Sequence, residues 1–182
     1  RGTIGGTPGD NLTPVDIVKF TAAYGTIIAG GRSNIKIVVG RDGRISGSLV
    51  QGLVVNTLTS LGIDVIDLGL STTPTVEMAV KMAGADGGII LTASHNPKEW
   101  NALKLLNQEG EFIDAETGAR VLELAAAEKF NFASVDKLGK LTVDETYMQQ
   151  HIEAILQYPL VNTRLIKKQD FKIVVDAVNS TG

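Results

Sequence analysis

Seventeen Lys and Arg stand against 20 Asp and Glu in 182 residues, a formal charge of −3 with an isoelectric point near 5.4, which argues against a nucleic-acid surface. No cysteine is present, so a disulfide framework, thiolate metal sites and thiol catalysis are excluded. Hydrophobic residues make up 43% of the chain, enough for a sizeable core, yet no apolar run has the length of a membrane span. The balance fits one domain of about 150 residues plus a short tail, expected in the cytoplasm with no membrane or nucleic-acid partner.

The chain opens on a glycine-rich stretch, Gly2 to Gly9. It could cradle a phosphate, but no strand precedes it and the Gly-x-Gly-x-x-Gly spacing is absent, so a mobile loop is expected. Thr13-Pro14-Val15-Asp16 is a helix start: a capping threonine, a proline in the first turn and an acid three residues on. The helix should reach about Ala29 and stop at Gly30-Gly31. Ile35 to Val39 reads as a strand, and Gly40 to Ser46 as a turn without the Gly-Lys-Ser/Thr of a nucleotide loop. Ser48 to Leu61 reads as a helix with Leu49, Leu53, Val54 and Leu58 on one side.

Val65 to Leu68 is the next expected strand, Pro74 to Ala83 the next helix, and Gly88 to Leu91 a short buried strand. Asn101 to Leu106 suits the returning strand of a hairpin. Asp114 to Phe130 and Asp144 to Gln157 read as helices, Pro159 to Asp170 as a linker, and Phe171 to Val175 as a strand of another domain. Strands separated by helices of this length imply an α/β fold, a mainly parallel (mixed) sheet sandwiched between helices.

The most informative residues follow the strand ending at Leu91. Thr92-Ala93-Ser94-His95-Asn96-Pro97 sits where hydrophobicity stops and turn chemistry begins. In open α/β sheets, ligands bind beyond the carboxyl ends of the strands. A serine, a histidine and an asparagine there can address a polar substrate, while Pro97 stiffens the turn. The same residues also suit a plain strand-to-loop turn with a solvated His95. Lys104 could return towards the serine across the hairpin, or could be an ordinary solvated lysine. Ser94-His95 does not read as a hydrolase dyad, because adjacent strand-like residues point to opposite sides.

Thr92 to Pro97, with Asn101 and Lys104 downstream, closely resembles the phosphoserine loop of the α-D-phosphohexomutases: phosphoglucomutases, phosphomannomutases and phosphoglucosamine mutases. Three more segments resemble the same family in the same order. Arg1-Gly2-Thr3 resembles the end of its amino-terminal arginine motif, Gly40-Arg41-Asp42-Gly43-Arg44 its Gly-x-Asp-x-Arg turn, and Val175 to Gly182 the opening of its second domain. The resemblance implies four domains. This chain would cover domain I at residues 1–158, a linker at 159–170 and the first strand of a truncated domain II at 171–182. Beginning at Arg1 inside a motif, it reads as a fragment.

By the same resemblance, Ser94 is the phosphoserine and, through its phosphate, a ligand of Mg²⁺ whose other ligands lie in domain II. Lys104 is implicated in acid/base work on the sugar hydroxyl. His95 would bond substrate or phosphate, although a structural histidine stays open, and Arg1 would contact the sugar phosphate. The implied reaction interconverts hexose 1-phosphate and 6-phosphate, with an activator of the glucose 1,6-bisphosphate type. Asn96 and Asn101 read as residues that hold the loop, and Arg41, Asp42 and Arg44 as an internal salt-bridged turn. Self-association through an exposed tail strand is a further expectation. A non-catalytic sugar-phosphate-binding or interaction module of the same fold is the alternative, and a nucleotide-binding domain a third reading for which no motif is present.

Overall fold

Residues 1–181 are described by a computed structural model. The strands are β1 (Gly2–Thr3), β2 (Lys36–Arg41), β3 (Asp64–Leu70), β4 (Gly87–Leu91), β5 (Trp100–Asn101), β6 (Leu103–Leu106) and β7 (Leu141–Val143). The helices are α1 (Pro14–Ala29), α2 (Gly47–Ser60), α3 (Thr73–Met82), α4 (Ala115–Ala127), α5 (Tyr147–Gln157) and α6 (Thr163–Lys168).

Local signals set the helix ends. Thr13 and Asp16 form the reciprocal capping box that starts α1, and Gly30 ends it at a φ of 53°, a left-handed position glycine takes without strain. Thr72 caps α3 and Asp114 caps α4, the latter accepting the Thr117 N–H at 2.7 Å. Glu128 then ends α4 in the left-handed region, so the helix stops before Phe130.

The main sheet has the order β6-β4-β2-β3-β7. Neighbours are parallel except β4 and β6, which form an antiparallel hairpin. Successive strand residues point to opposite faces. Ile37, Val39, Val65, Ile89 and Leu91 therefore pack towards α1, α2 and α4. Val38, Leu68 and Ile90 pack towards α3 and Tyr147 of α5. All five residues of β4 are buried, as expected of a strand covered on both faces. The expected mixed sheet between helices is the architecture found.

Several details differ from the sequence reading. The core side of α2 is set by Val50, Val54, Val55 and Leu58, while Leu49 is 53% exposed. Asn101 to Leu106 divides at Ala102, so that β5 pairs with β1 and only β6 joins β4. β7 was not expected: its three residues are all exposed, so no alternation marks it. α5 begins at Tyr147 because Asp144 turns back to accept the Thr146 N–H at 3.0 Å. The expected linker contains α6.

Phe171 to Val175 is exposed and forms no strand. A strand needs a partner for its backbone groups, and none pairs with it among the described residues. Ser180 instead reaches back to accept the Gly43 N–H at 3.2 Å. Of the segment read as the opening of a second domain, Gly182 lies outside the described residues.

Candidate active site

Because β2, β3 and β4 run parallel, their carboxyl ends finish on one edge of the sheet, the edge at which open α/β sheets bind ligands. The Asp42 N–H donates to the Leu91 carbonyl at 3.1 Å, so the turn after β2 lies against the strand end that delivers Ser94. Ser94 itself has a φ of 57°, uncommon for a residue with a side chain. Its N–H donates to Thr92 Oγ1 at 3.0 Å, and the Thr92 hydroxyl donates to Asp42 Oδ2 at 2.6 Å.

Arg44 closes the same loop from the other side. Its Nε donates to Asp42 Oδ2 at 3.2 Å. One terminal nitrogen donates to the carbonyls of Pro97 and Trp100 at 2.7 and 3.0 Å. The other donates to those of Ser94 and Asn96 at 2.7 and 2.8 Å. The salt-bridged turn expected from sequence is present for Asp42 and Arg44. Arg41 departs from it, donating to Gln51 Oε1 at 2.8 Å and to the Asp42 backbone carbonyl. Sequence reasoning missed the span of Arg44 across the loop. Its only signal was an arginine in the turn facing the strand end.

Ser94, His95, Lys104 and Arg1 line one cavity of about 340 Å³, together with Thr92 and Asn96. Ser94 and His95 are exposed and Lys104 is half-buried. Lys104 stands opposite Ile90 in the β4–β6 ladder, so the hairpin does return it to the serine's end of the sheet. Its Nζ lies 5.8 Å from the centre of the Phe112 ring, within the range of cation–π attraction. Arg1 is brought near by the pairing of Gly2 with Asn101. The four site residues named from sequence thus share one space.

Ser94 and His95 do not diverge as strand neighbours would. The left-handed turn at Ser94 brings its Oγ to 3.4 Å from His95 Nδ1. That is longer than a normal O–H···N bond, and no third side chain orients His95 among the described residues. Asn96 and Asn101 hold backbone, as expected. Asn96 Nδ2 donates to the Ala93 carbonyl at 2.7 Å. Asn101, fully buried, donates to Ser46 Oγ at 3.0 Å and accepts the Ala102 N–H at 2.8 Å.

The glycine-rich opening is fastened, not free. Thr3 donates to Asn11 Oδ1 at 2.6 Å, the Ile4 N–H to the Glu99 carbonyl at 2.8 Å and the Gly9 N–H to Asp16 Oδ1 at 3.0 Å. Burial works to raise the Asp16 carboxyl, but the hydroxyl and N–H of Thr13 and the N–H of Gly9 hold it below the usual carboxylate range.

For a metal, no cluster of three or more His, Asp or Glu exists among the described residues. The polar lining of the cavity is Arg1, Lys104, the His95 ring, the hydroxyls of Thr92 and Ser94 and the Asn96 amide, with no carboxylate. Mg²⁺ favours carboxylate and phosphate oxygens, so the side chains lining this cavity do not by themselves make a site for it. No helix is long and apolar enough to cross a membrane among the described residues.

Residues 1–132 match the family model of the phosphoglucomutase/phosphomannomutase alpha/beta/alpha domain I. The chain belongs to this family. It is 39% identical to a phosphoglucomutase/phosphomannomutase of Thermococcus kodakarensis, over 100% of this chain and 40% of that protein. A phosphoglucosamine/phosphogalactosamine mutase of Sulfurisphaera tokodaii is 34% identical over 94% of this chain and 37% of its own length. A phosphoglucomutase/phosphomannomutase family protein of Burkholderia thailandensis superposes with a TM-score of 0.71 at 25% identity, covering 84% of this chain and 34% of the other. This member of the family therefore spans about two-fifths of the length of such relatives, and it carries the part that holds Ser94.

Proposed function

We propose that this chain is the phosphoserine-bearing domain of a phosphohexomutase, working within a protein of its relatives' length. The observation that carries the reading is the common cavity of Ser94, His95, Lys104 and Arg1 at the carboxyl edge of the sheet. The proposed reaction interconverts hexose 1-phosphate and 6-phosphate through a bisphosphorylated sugar. In the donating half-reaction a sugar hydroxyl attacks the phosphorus on Ser94. The Oγ–P bond breaks as a sugar O–P bond forms, the attacking hydroxyl gives its proton to a base, and the departing Oγ takes up a proton to leave Ser94 as a free hydroxyl. Lys104 is assigned as that base. The reverse step, from the other position of the same sugar, restores the phosphoserine.

Phosphorylation would add about −1.5 to −2 charges to the cavity at neutral pH; Arg1 lines it as a fixed cation, the His95 ring lies beside Ser94, and Lys104 becomes a cation when it takes the hydroxyl proton. A guanidinium at Arg1 suits two-pronged contact with a sugar phosphate. Ser94 would contribute to Mg²⁺ through its phosphate, and the ion would supply charge neutralisation on the transferred group. A sugar bisphosphate of the glucose 1,6-bisphosphate type would prime Ser94. By itself the 182-residue chain should bind Mg²⁺ weakly and show no mutase activity. The exposed apolar segment Phe171 to Val175 is proposed to promote its self-association.

The test is Ser94→Ala in the enzyme at its relatives' length, with glucose 1,6-bisphosphate present. Mutase activity on glucose, mannose and glucosamine phosphates should vanish, with circular dichroism unchanged and the intact-mass phosphate lost. Activity within about tenfold of wild type would discard the phosphoserine assignment. A folded, unphosphorylated protein that binds sugar phosphates without turnover would instead support the binding-module alternative.

A further inference from the structure

We infer that Arg44 is a positioning residue for Ser94, fixing the backbone that presents the serine to the cavity without touching substrate itself. This rests on the phosphoserine reading above.

The inference starts from a count of donors. A guanidinium has five N–H groups in a rigid fork. In this structure one faces Asp42 and four face the carbonyls of Ser94, Asn96, Pro97 and Trp100. None is left over for a ligand. The side chain is only 10% exposed, so it is a strut inside the loop and not part of the cavity wall.

The second step follows the connections of Ser94. Its carbonyl accepts from Arg44 at 2.7 Å. Its N–H reaches Thr92 Oγ1, which reaches Asp42 Oδ2 at 2.6 Å. Both backbone groups of Ser94 therefore terminate on one ion pair, Arg44 with Asp42. A φ of 57° at a serine persists only where surrounding contacts over-determine it, and these two routes do so. In-line phosphoryl transfer is sensitive to placement of the reacting oxygen, and a misplacement of about 1 Å can cost about a hundredfold. Lysine cannot replace the strut, because an ammonium is a point donor that cannot reach four carbonyls at once.

The experiment compares Arg44→Ala and Arg44→Lys. In the 182-residue chain, amide hydrogen exchange should quicken by about tenfold or more at Ser94 and Asn96, with Val38 and Ile89 in the sheet unchanged. In the enzyme at its relatives' length, kcat should fall by about a hundredfold in both variants, with KM within about threefold of wild type. Guanidinium at a sub-denaturing concentration should restore part of kcat to Arg44→Ala and none to Arg44→Lys. Unchanged protection at Ser94, or kcat near wild type, would overturn the inference. A raised KM with kcat intact would make Arg44 a substrate contact. Loss of protection throughout the sheet in both variants would assign it to general fold stability. A Ser94→Ala enzyme that remains active would retire the phosphoserine reading while leaving the exchange result to stand, so the two failures are distinguishable.

Discussion

The phenol of Tyr24 lies 2.6 Å from the carbonyl oxygen of Leu106, at the end of the β4–β6 hairpin opposite the one carrying Ser94 and Lys104. Gly88, the ladder partner of Leu106, places its own carbonyl 3.1 Å from the same hydroxyl. Tyr24 is completely buried, so α1 is fastened to the hairpin by a polar contact with no access to water.

Tyr24→Phe should therefore destabilise the fold by about 1–3 kcal/mol, the cost of stranding buried carbonyls. Burial drives the Tyr24 phenol far above its ordinary value. An acid whose folded pKa is raised stabilises fully below its unfolded pKa of about 10 and loses that contribution as pH rises further. Urea unfolding of wild type and variant between about pH 8 and pH 11 should show the gap narrowing on the alkaline side. A constant gap would mean that the phenol ionises in the folded chain.

The same hydroxyl explains a glycine. A Cβ on Gly87 would stand 2.9 Å from the Leu106 carbonyl oxygen and closer still to the Tyr24 phenol oxygen. Gly87→Ala should cost about 1–3 kcal/mol through overpacking. The same substitution made on Tyr24→Phe should cost less, since the nearest obstacle is gone. A double-mutant cycle by chemical denaturation checks this, and strict additivity would place the obstacle elsewhere.

Asp16 ties the glycine-rich opening to α1 through Thr13 and Gly9. With its folded pKa depressed, its contribution is present above the unfolded carboxylate value of about 3.9 and is lost as pH falls through the folded pKa. Asp16→Asn should cost about 1 kcal/mol at neutral pH, and the difference should shrink on acidification below about pH 4. Thermal melts across that range measure it. A penalty independent of pH would remove the carboxylate charge from the account.

Lys104→Ala separates proton transfer from phosphate carriage. In the enzyme at its relatives' length, turnover should fall by about 10²–10⁴-fold, while intact mass still reports phosphate on Ser94. Turnover within about tenfold of wild type would relieve Lys104 of its acid/base role. Loss of the phosphate along with activity would place Lys104 in priming instead.

Local patterns were enough for the parts of this protein governed by neighbours in the chain. The capping box at Thr13 and Asp16, the stop at Gly30, the apolar run of β4 and the turn chemistry after Leu91 all act within a few residues, where periodicity and capping are readable. Those signals located Ser94 at a strand end and Lys104 on the returning strand. Tertiary structure decided what local pattern does not encode. Arg44 meets carbonyls 50 to 56 residues away, and only the parallel register of β2 with β4 puts its turn beside that loop. Exposed β7 carries no alternation to announce its pairing with β3. Phe171 to Val175 has the composition of a strand but no ladder partner among the described residues. A strand is completed by hydrogen bonds to another segment, so its residues alone can propose it but cannot form it.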